Sequence, residues 1–509
     1  VVSYDDAKIT SKIQVSKTTI FNEAKASDIG ISFVHKENSF NEYEEEVLLP
    51  HNISQNGPFT ATADINNDGL EDLFIGGALG QQGILYLQKS DGSFVESSSQ
   101  PWAKDKDSED QGALFLDVDG DSDLDLYITS GGSEYPQGSK LLKDRLYIND
   151  GLGQFIKNDK ALPNIFESTI CVKSSDIDKD GDLDLFVGTR LKSGQYGFPA
   201  SSYILINTNG IYTRASIEVA VDLNNLGMVT DAVFSDIDND GDEDLLIVGE
   251  WMEINILENN KGIFGNSADK FGLKNTRGLW WSISASDIDN DGDDDYVIGN
   301  LGLNNKFKAS VEHPFKVYVN DFDGNGTNDV VLAKFYKDDY VPMRGRECTS
   351  QQMPYVAEKF KDYHSFASSK LIDILPEDKV KDGVVYEISN FESIILVNED
   401  GQLVRKPLPI EAQLSPIKSS IVMDLNKDGN KDIITFGNHY GVEVETTRYD
   451  AGFGNVLLGD GNNNFINMSA IESGLFIALD SRDAKIIKQS NSNLLVISNN
   501  NDSVSVFKF

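Results

Sequence analysis

Between Asp236 and Asp244 the chain places six carboxylates in nine residues and follows them at once with Leu-Leu-Ile-Val. Left alone, those charges repel one another and oppose a compact fold. A hard divalent cation turns the same crowding into a ligand set. Counted from the first Asp, oxygen-bearing side chains stand at positions 1, 3, 5 and 9 (Asp236, Asp238, Asp240, Asp244), with Gly241 at position 6. Calcium takes about six to eight oxygen ligands in flexible geometry, and glycine lets the backbone turn sharply. An EF-hand starts in the same way but ends on Glu at position 12. Here that position is Ile247, inside an apolar, β-branched run that reads as a strand. The pattern is a calcium loop set in a β-hairpin.

The same spacing recurs, which places seven candidate ligand sets along the chain. They are Asp64, Asn66, Asp68 and Asp72; Asp117, Asp119, Asp121 and Asp125; Asp176, Asp178, Asp180 and Asp184; and the set at Asp236. Downstream follow Asp287, Asp289, Asp291 and Asp295; Asp321, Asp323, Asn325 and Asp329; and Asp424, Asn426, Asp428 and Asp432. Position 6 is Gly in every copy except Ser122, and no copy has Glu at position 12. Asn66, Asn325, Asn426 and Ser122 are departures that imply weaker ion binding in their loops. A single acidic turn would mean little, whereas seven that each feed an apolar strand imply up to seven bound calcium ions.

Such loops need a scaffold that repeats. Their starts are separated by 53, 59, 60, 51, 34 and 103 residues, and most intervals suit four short strands with turns, the size of a propeller blade. After most loops comes an apolar strand, a Gly/Asn turn and an apolar closing residue, as in LYINDGLGQF (146–155), INILENNKGIF (254–264) and IILVNEDGQL (394–403), which read as outer hairpins. The fold class expected is all-β, a propeller of four-stranded blades spanning residues 1–509 as one domain. A strand near 18–34 would close the last blade. The 34-residue interval leaves two counts open: eight blades with one short, or seven with two loops sharing a blade. Residues 344–385 lack strand periodicity and read as a helical insert, with Met353, Val356, Phe360, Tyr363 and Ile372 near helical spacing. That insert either packs on the propeller or docks a partner. Loops 133–142 and 193–203 would extend such a surface through Tyr135, Tyr196 and Phe198.

The formal charge of −38 argues against nucleic acid or an anionic membrane surface as partner, even after seven divalent ions cancel 14 of those charges. Loops of this kind suit the millimolar calcium outside cells. No apolar run of membrane-spanning length occurs. Cys171 and Cys348 leave pairing open. The start at Val1 without Met reads as a processed product whose targeting sequence or lipid-bearing Cys lies outside this chain.

Beyond the loops, Phe74–Ala78 (FIGGA) resembles the FG-GAP repeat of integrin-type propellers, and the DxDxDG loops resemble FG-GAP and VCBS repeats of bacterial proteins. Longer phrases resemble the propeller of cartilage acidic protein (the ASPIC/UnbV-associated family) and its surface lipoprotein relatives in Bacteroidota. These are GISFVHKENSF (30–40), GMVTDAVFSDID (227–238), GEW (249–251), GNLGLN (299–304) and RYDAGFGN (448–455). The resemblance implies an exported calcium-binding propeller at the outer face of the outer membrane, beside a TonB-dependent transporter of the SusC/SusD kind or an assembly machine. It also implies a longer parent chain with another propeller upstream.

Chemistry beyond metal binding is thin in the sequence. There is no GxSxG, HExxH, P-loop or Cys-x-x-Cys motif, and the five histidines are scattered. Residues at the same offset after successive loops should form a ring at one mouth of the central channel. They are Arg190, Glu250, Trp251, Asn300, Lys334, Asn438 and His439, either a ligand site or rim residues that meet water. Arg448 and Asp450 read as a pair beside it, and Asp105 as an exposed carboxylate. The leading expectation is a non-enzymatic surface scaffold with a protein partner. The alternative is a carbohydrate-binding or carbohydrate-active propeller, hydrolase or lyase, working at that mouth through Glu250, Arg190 and His439.

Overall fold

A computed structural model describes residues 19–399, 401–490 and 492–509. Residues 1–18, which include Thr18 of the expected closing strand, lie outside the described residues. Behind each acidic loop the apolar run forms the second strand of an antiparallel sheet. In Asp184–Leu191 and Asp244–Met252 every residue is buried, as an unbroken apolar run requires when a strand is covered on both faces.

There are eight sheets among the described residues, each built on four antiparallel strands, with a short fifth strand, Gly278–Leu279, added to one of them. Seven form a closed ring, with innermost strands that pack in cyclic order. Blades 1 to 4 occupy residues 60–96, 109–157, 168–214 and 228–266, blade 5 residues 282–299 and 394–407, and blade 6 residues 419–468. Blade 7 takes three strands from residues 481–508 and its outermost strand from Asn22–Ala24, which pairs with Ser505–Lys508. The two ends of the described chain therefore meet in one sheet and lock the ring. The innermost strands enclose a central channel of about 290 Å³.

The eighth sheet stands outside the ring. It is inserted between the second and third strands of blade 5, and its hairpin Phe315–Asn320 and Asp329–Tyr336 carries the Asp321 loop. The 34-residue interval thus marks neither a short blade nor a shared one. It is the step from blade 5 into an inserted sheet, and the 103-residue interval is the way back.

Residues 344–385 hold five short helices, and two of the four breaks between them contain Pro354 and Pro376, since proline cannot donate to a continuing helix. Met353, Val356 and Phe360 pack with Phe366, Leu371 and Ile374 onto Phe322 and Val331 of the inserted sheet. Tyr363 and Ile372 break from the expected stripe and point outward, 63% and 69% exposed. Cys171 and Cys348 are both free. No helix of the described residues is long and apolar enough to cross a membrane.

Candidate functional site

Six acidic loops join the inner to the second strand of blades 1 to 6, so they share one face of the ring, and the Asp321 loop tips the inserted hairpin. Each is folded by its own carboxylates. One oxygen of the position 1 Asp accepts the backbone N–H of position 6 in all seven copies, at 2.8–3.2 Å. Position 5 accepts the N–H of position 7 in the same way. These bonds need the left-handed backbone at position 6, where Gly241 has φ 91°. Ser122 adopts φ 73° despite its side chain, a conformation that costs a non-glycine residue about 1–2 kcal/mol.

Position 9 is buried and does a second job. Its Oδ2 accepts the N–H of position 2, closing the loop. In blades 1 to 6 its Oδ1 accepts an N–H from the third strand, as from Asn149 to Asp125 and Asn259 to Asp244. Burial, with the neighbouring loop carboxylates adding, lifts the carboxyls of Asp72, Asp184 and Asp295 to about 6 and those of Asp125, Asp244 and Asp329 to about 7.

In four loops one oxygen from each of positions 1, 3 and 9 lies within 4.8 Å of the others: Asp117, Asp119 and Asp125; Asp176, Asp178 and Asp184; Asp236, Asp238 and Asp244; Asp321, Asp323 and Asp329. In the fifth loop the group is Asp287, Asp289 and Asp291. Two oxygens bound to one calcium-sized ion, each at about 2.3–2.6 Å, sit up to about 5 Å apart. Each group therefore fits one metal ion. Asp238 and Asp289 also keep a buried Oδ1 with no hydrogen-bond partner, an acceptor that a cation satisfies. The first and last loops have the amides of Asn66 and Asn426 at position 3 and bring fewer carboxylates together.

One repeated residue escaped the sequence reading. Asn149 Nδ2 donates to Ile65 O, Asn207 Nδ2 to Val118 O and Asn398 Nδ2 to Ile237 O. Each asparagine thus ties the third strand of its own blade to the metal loop of the preceding one. Its signal was the Asn shared by LYINDG and IILVNEDG just ahead of the turn.

The family of FG-GAP-like repeats matches residues 64–128, 117–187 and 236–298. Each match runs from the first Asp of one loop to position 12 of the next. The protein is a β-propeller that contains FG-GAP-like repeats. No curated protein matches the chain. Among solved structures, this FG-GAP propeller is similar to the Vibrio cholerae biofilm matrix protein Bap1 (12% identity, TM-score 0.37, 94% of this chain and 90% of that one). It is also similar to the Dos1 propeller (12%, 0.38, 94% and 95%) and to Saccharomyces cerevisiae Sqt1 (10%, 0.40, 90% and 99%). At these identities the likenesses say nothing of what the FG-GAP propeller does.

The opposite face differs from the expected open mouth. Residues 35–57, between the closing strand and blade 1, cross it as a plug. Glu42 accepts the N–H groups of Ile53 and Ser54, which folds the plug on itself. Asn38 reaches Glu134 of blade 2, Glu46 accepts the N–H of Tyr196 in blade 3, Asn52 donates to Gly441 O of blade 6, and Glu37 accepts from Asn500 of blade 7. Beneath it, Arg190, Glu250, Trp251, Asn300, Asn438 and His439 are 0–2% exposed. They are buried partners rather than rim residues that meet water. Lys334 belongs to the inserted sheet and stands apart from them.

Glu250 is the centre of this cluster. Arg190 and the Tyr196 hydroxyl both donate to it, His51 Nε2 lies 3.3 Å away, and Trp251 Nε1 donates to the Tyr196 oxygen at 2.9 Å. Burial alone would raise the Glu250 carboxyl, but His51 and Arg190 outweigh it and hold it well below the usual range. His439 stacks on Trp281 at 5.6 Å, and burial drives its imidazole well below the ordinary value. Asn300 and Asn438 spend their amides on backbone groups of adjoining segments. Tyr196, expected outside, faces inward, whereas Phe198 and Tyr135 are half-buried. Arg448 and Asp450 form an exposed pair at 3.6 Å. Asp105 is not a free surface carboxylate, since it accepts from Tyr147 and pairs with Lys157, both at 2.8 Å.

Proposed function

We propose that this propeller is a non-enzymatic interaction scaffold, loaded with calcium at up to seven loops and displayed at the cell surface. Its partner would be a protein of an outer-membrane complex, a TonB-dependent (SusC/SusD-like) transporter or an assembly machine. The observation that carries the reading is the sealed mouth. The carboxylate best suited to catalysis, Glu250, is 1% exposed beneath the plug and fully engaged by Arg190, Tyr196 and His51. What the molecule offers to a large partner is its outer surface, including the five-helix insert with Tyr363 and Ile372 outward. Bound calcium would add charge compensation at each loop, and the loop bonds hold the carboxylates in place for it. Glycan chemistry at the mouth is the weaker reading, because a polymer would have to displace the plug to meet Glu250, Arg190 and His439.

The test is affinity purification of the tagged protein from gently solubilised native membranes in calcium, with mass spectrometry of co-purifying chains. A stoichiometric outer-membrane protein, lost in the double variant Tyr363→Ser, Ile372→Ser at unchanged Tm, is expected. A chain that purifies alone and releases reducing ends or unsaturated products from a polysaccharide panel, with turnover lost in Glu250→Gln, would replace the scaffold reading.

A further inference from the structure

The central channel ends blindly beneath the plug, and its closed end is rich in cations and donors. Lys418, Trp281 and Arg482 line it there. Other cations of the wall are paired: Lys173 with Asp231 at 2.9 Å, Lys485 with Asp483 at 3.1 Å and Arg482 with Asp480 at 2.9 Å. Lys418 has no carboxylate partner among the described residues, and its Nζ lies over the Trp281 ring, 2.8 Å from the centroid. Arg482 is the residue passed over by the register shift between Ser481 and Asp483, and such a bulge re-aims a side chain.

Several donors here lack partners. Trp281 Nε1, Arg482 Nε and, behind Trp281, Arg190 Nε and Nη1 are buried with no acceptor. The Arg190 guanidinium carbon is 5.6 Å from the Trp281 ring. Ordered water can satisfy such N–H groups, but water brings no charge. Arg190 pairs with Glu250 and Arg482 with Asp480, which leaves Lys418 as the cation of this end without an ion-pair partner among the described residues, and Glu37 on the plug, whose charge Arg482 also feels, accepts from Asn500. Burial first and Arg482 second hold the Lys418 amine well below its ordinary value, although Asp480 and Glu250 act the other way, and an anion beside it would favour the protonated form.

We propose that the closed end of the channel is a binding site for a small carboxylate, held by Lys418 and Arg482 against the Trp281 ring. One amine without an ion-pair partner matches a monoanion better than a phosphate dianion. The channel volume of 290 Å³ equals roughly ten waters at about 30 Å³ each, space for a sugar acid and more than a halide needs. Entry would be from the calcium-loop face, where the Lys173 and Lys485 side chains are 35% and 36% exposed.

Isothermal titration of the calcium-loaded full chain, with free calcium held constant, tests this with sodium acetate, sodium glucuronate, glucose and sodium chloride. Acetate and glucuronate should bind with one site and raise Tm with concentration, whereas glucose and chloride should do neither. Lys418→Met should weaken glucuronate binding about tenfold or more, the loss expected for one charge-assisted hydrogen bond. Lys418→Arg should retain it. Wild-type Tm in acetate against chloride gives a readout that needs no variant. Absent binding of both carboxylates, equal affinity in Lys418→Met, or chloride binding as well as acetate would each overturn the proposal.

Discussion

Asp244 and Glu250 sit at opposite ends of one strand of blade 4, both at most 1% exposed, and the protein treats their charges in opposite ways. Asp244 lies among Asp236, Asp238 and Asp240, and burial lifts its carboxyl to about 7. Glu250 lies against Arg190, His51 and Tyr196, which hold it well below the usual range. On one face of the ring the countercharge must come from solution. On the other it is supplied by side chains from the plug and blade 3. A buried carboxylate by itself therefore says little about its role, and the source of its countercharge says more.

The largest expected effect is on the loop face. Chelation should lower Tm by many degrees, since each site contributes about 2.7 kcal/mol once free calcium exceeds its Kd a hundredfold. An unchanged melt in EDTA would remove the metal assignment. The pH dependence has a definite sign. Carboxyls raised to about 6 or 7 at Asp72, Asp125, Asp184, Asp244, Asp295 and Asp329 stabilise the ion-free fold below the unfolded value of about 3.9. That contribution is lost as pH rises through 6 to 7. An ion needs the ionised form, so the calcium-dependent gain in Tm should grow between pH 5 and 8. A gain that shrinks over that window would contradict the burial argument.

Next in size, Glu250→Gln should cost about 3–5 kcal/mol in denaturant melts, because it strands the Arg190 charge in the interior. The cost should be the same in calcium and in EDTA. Asp244→Ala should instead lose far more of its stability difference from wild type once calcium is removed, with Asp159→Ala, an exposed control at 76%, near zero in both. If the two costs respond alike to calcium, the contrast between the faces fails. The smallest effect belongs to Ser122→Gly, which should stabilise by about 1 kcal/mol by relieving the left-handed backbone at φ 73°. A loss of stability there would mean that the serine side chain carries a contact of its own.

The sequence by itself determined whatever lies within one repeat. A nine-residue loop folds through its own side chains, so its spacing could be read off the chain, together with the strand that follows and the closing of the last blade by an N-terminal strand. The asparagines that staple neighbouring blades were on the page in the same way, at Asn149, Asn207 and Asn398, but their partners lie in the preceding blade and give no local signal. Only the tertiary structure decided what converges from far apart. The ring count turned on a sheet inserted within blade 5, and Tyr363 and Ile372 left the apolar stripe because the insert is broken into short helices, with breaks at residues 360–362 and 368–370 that reset the helical phase. Equal offsets brought Arg190, Glu250 and His439 to one place, as pseudo-symmetry predicts. Whether that place is open or closed depended on residues 35–57, a segment that repeats nothing, folds on itself through Glu42 and is held over the ring by long-range bonds and by burial of Leu49 and Ile53.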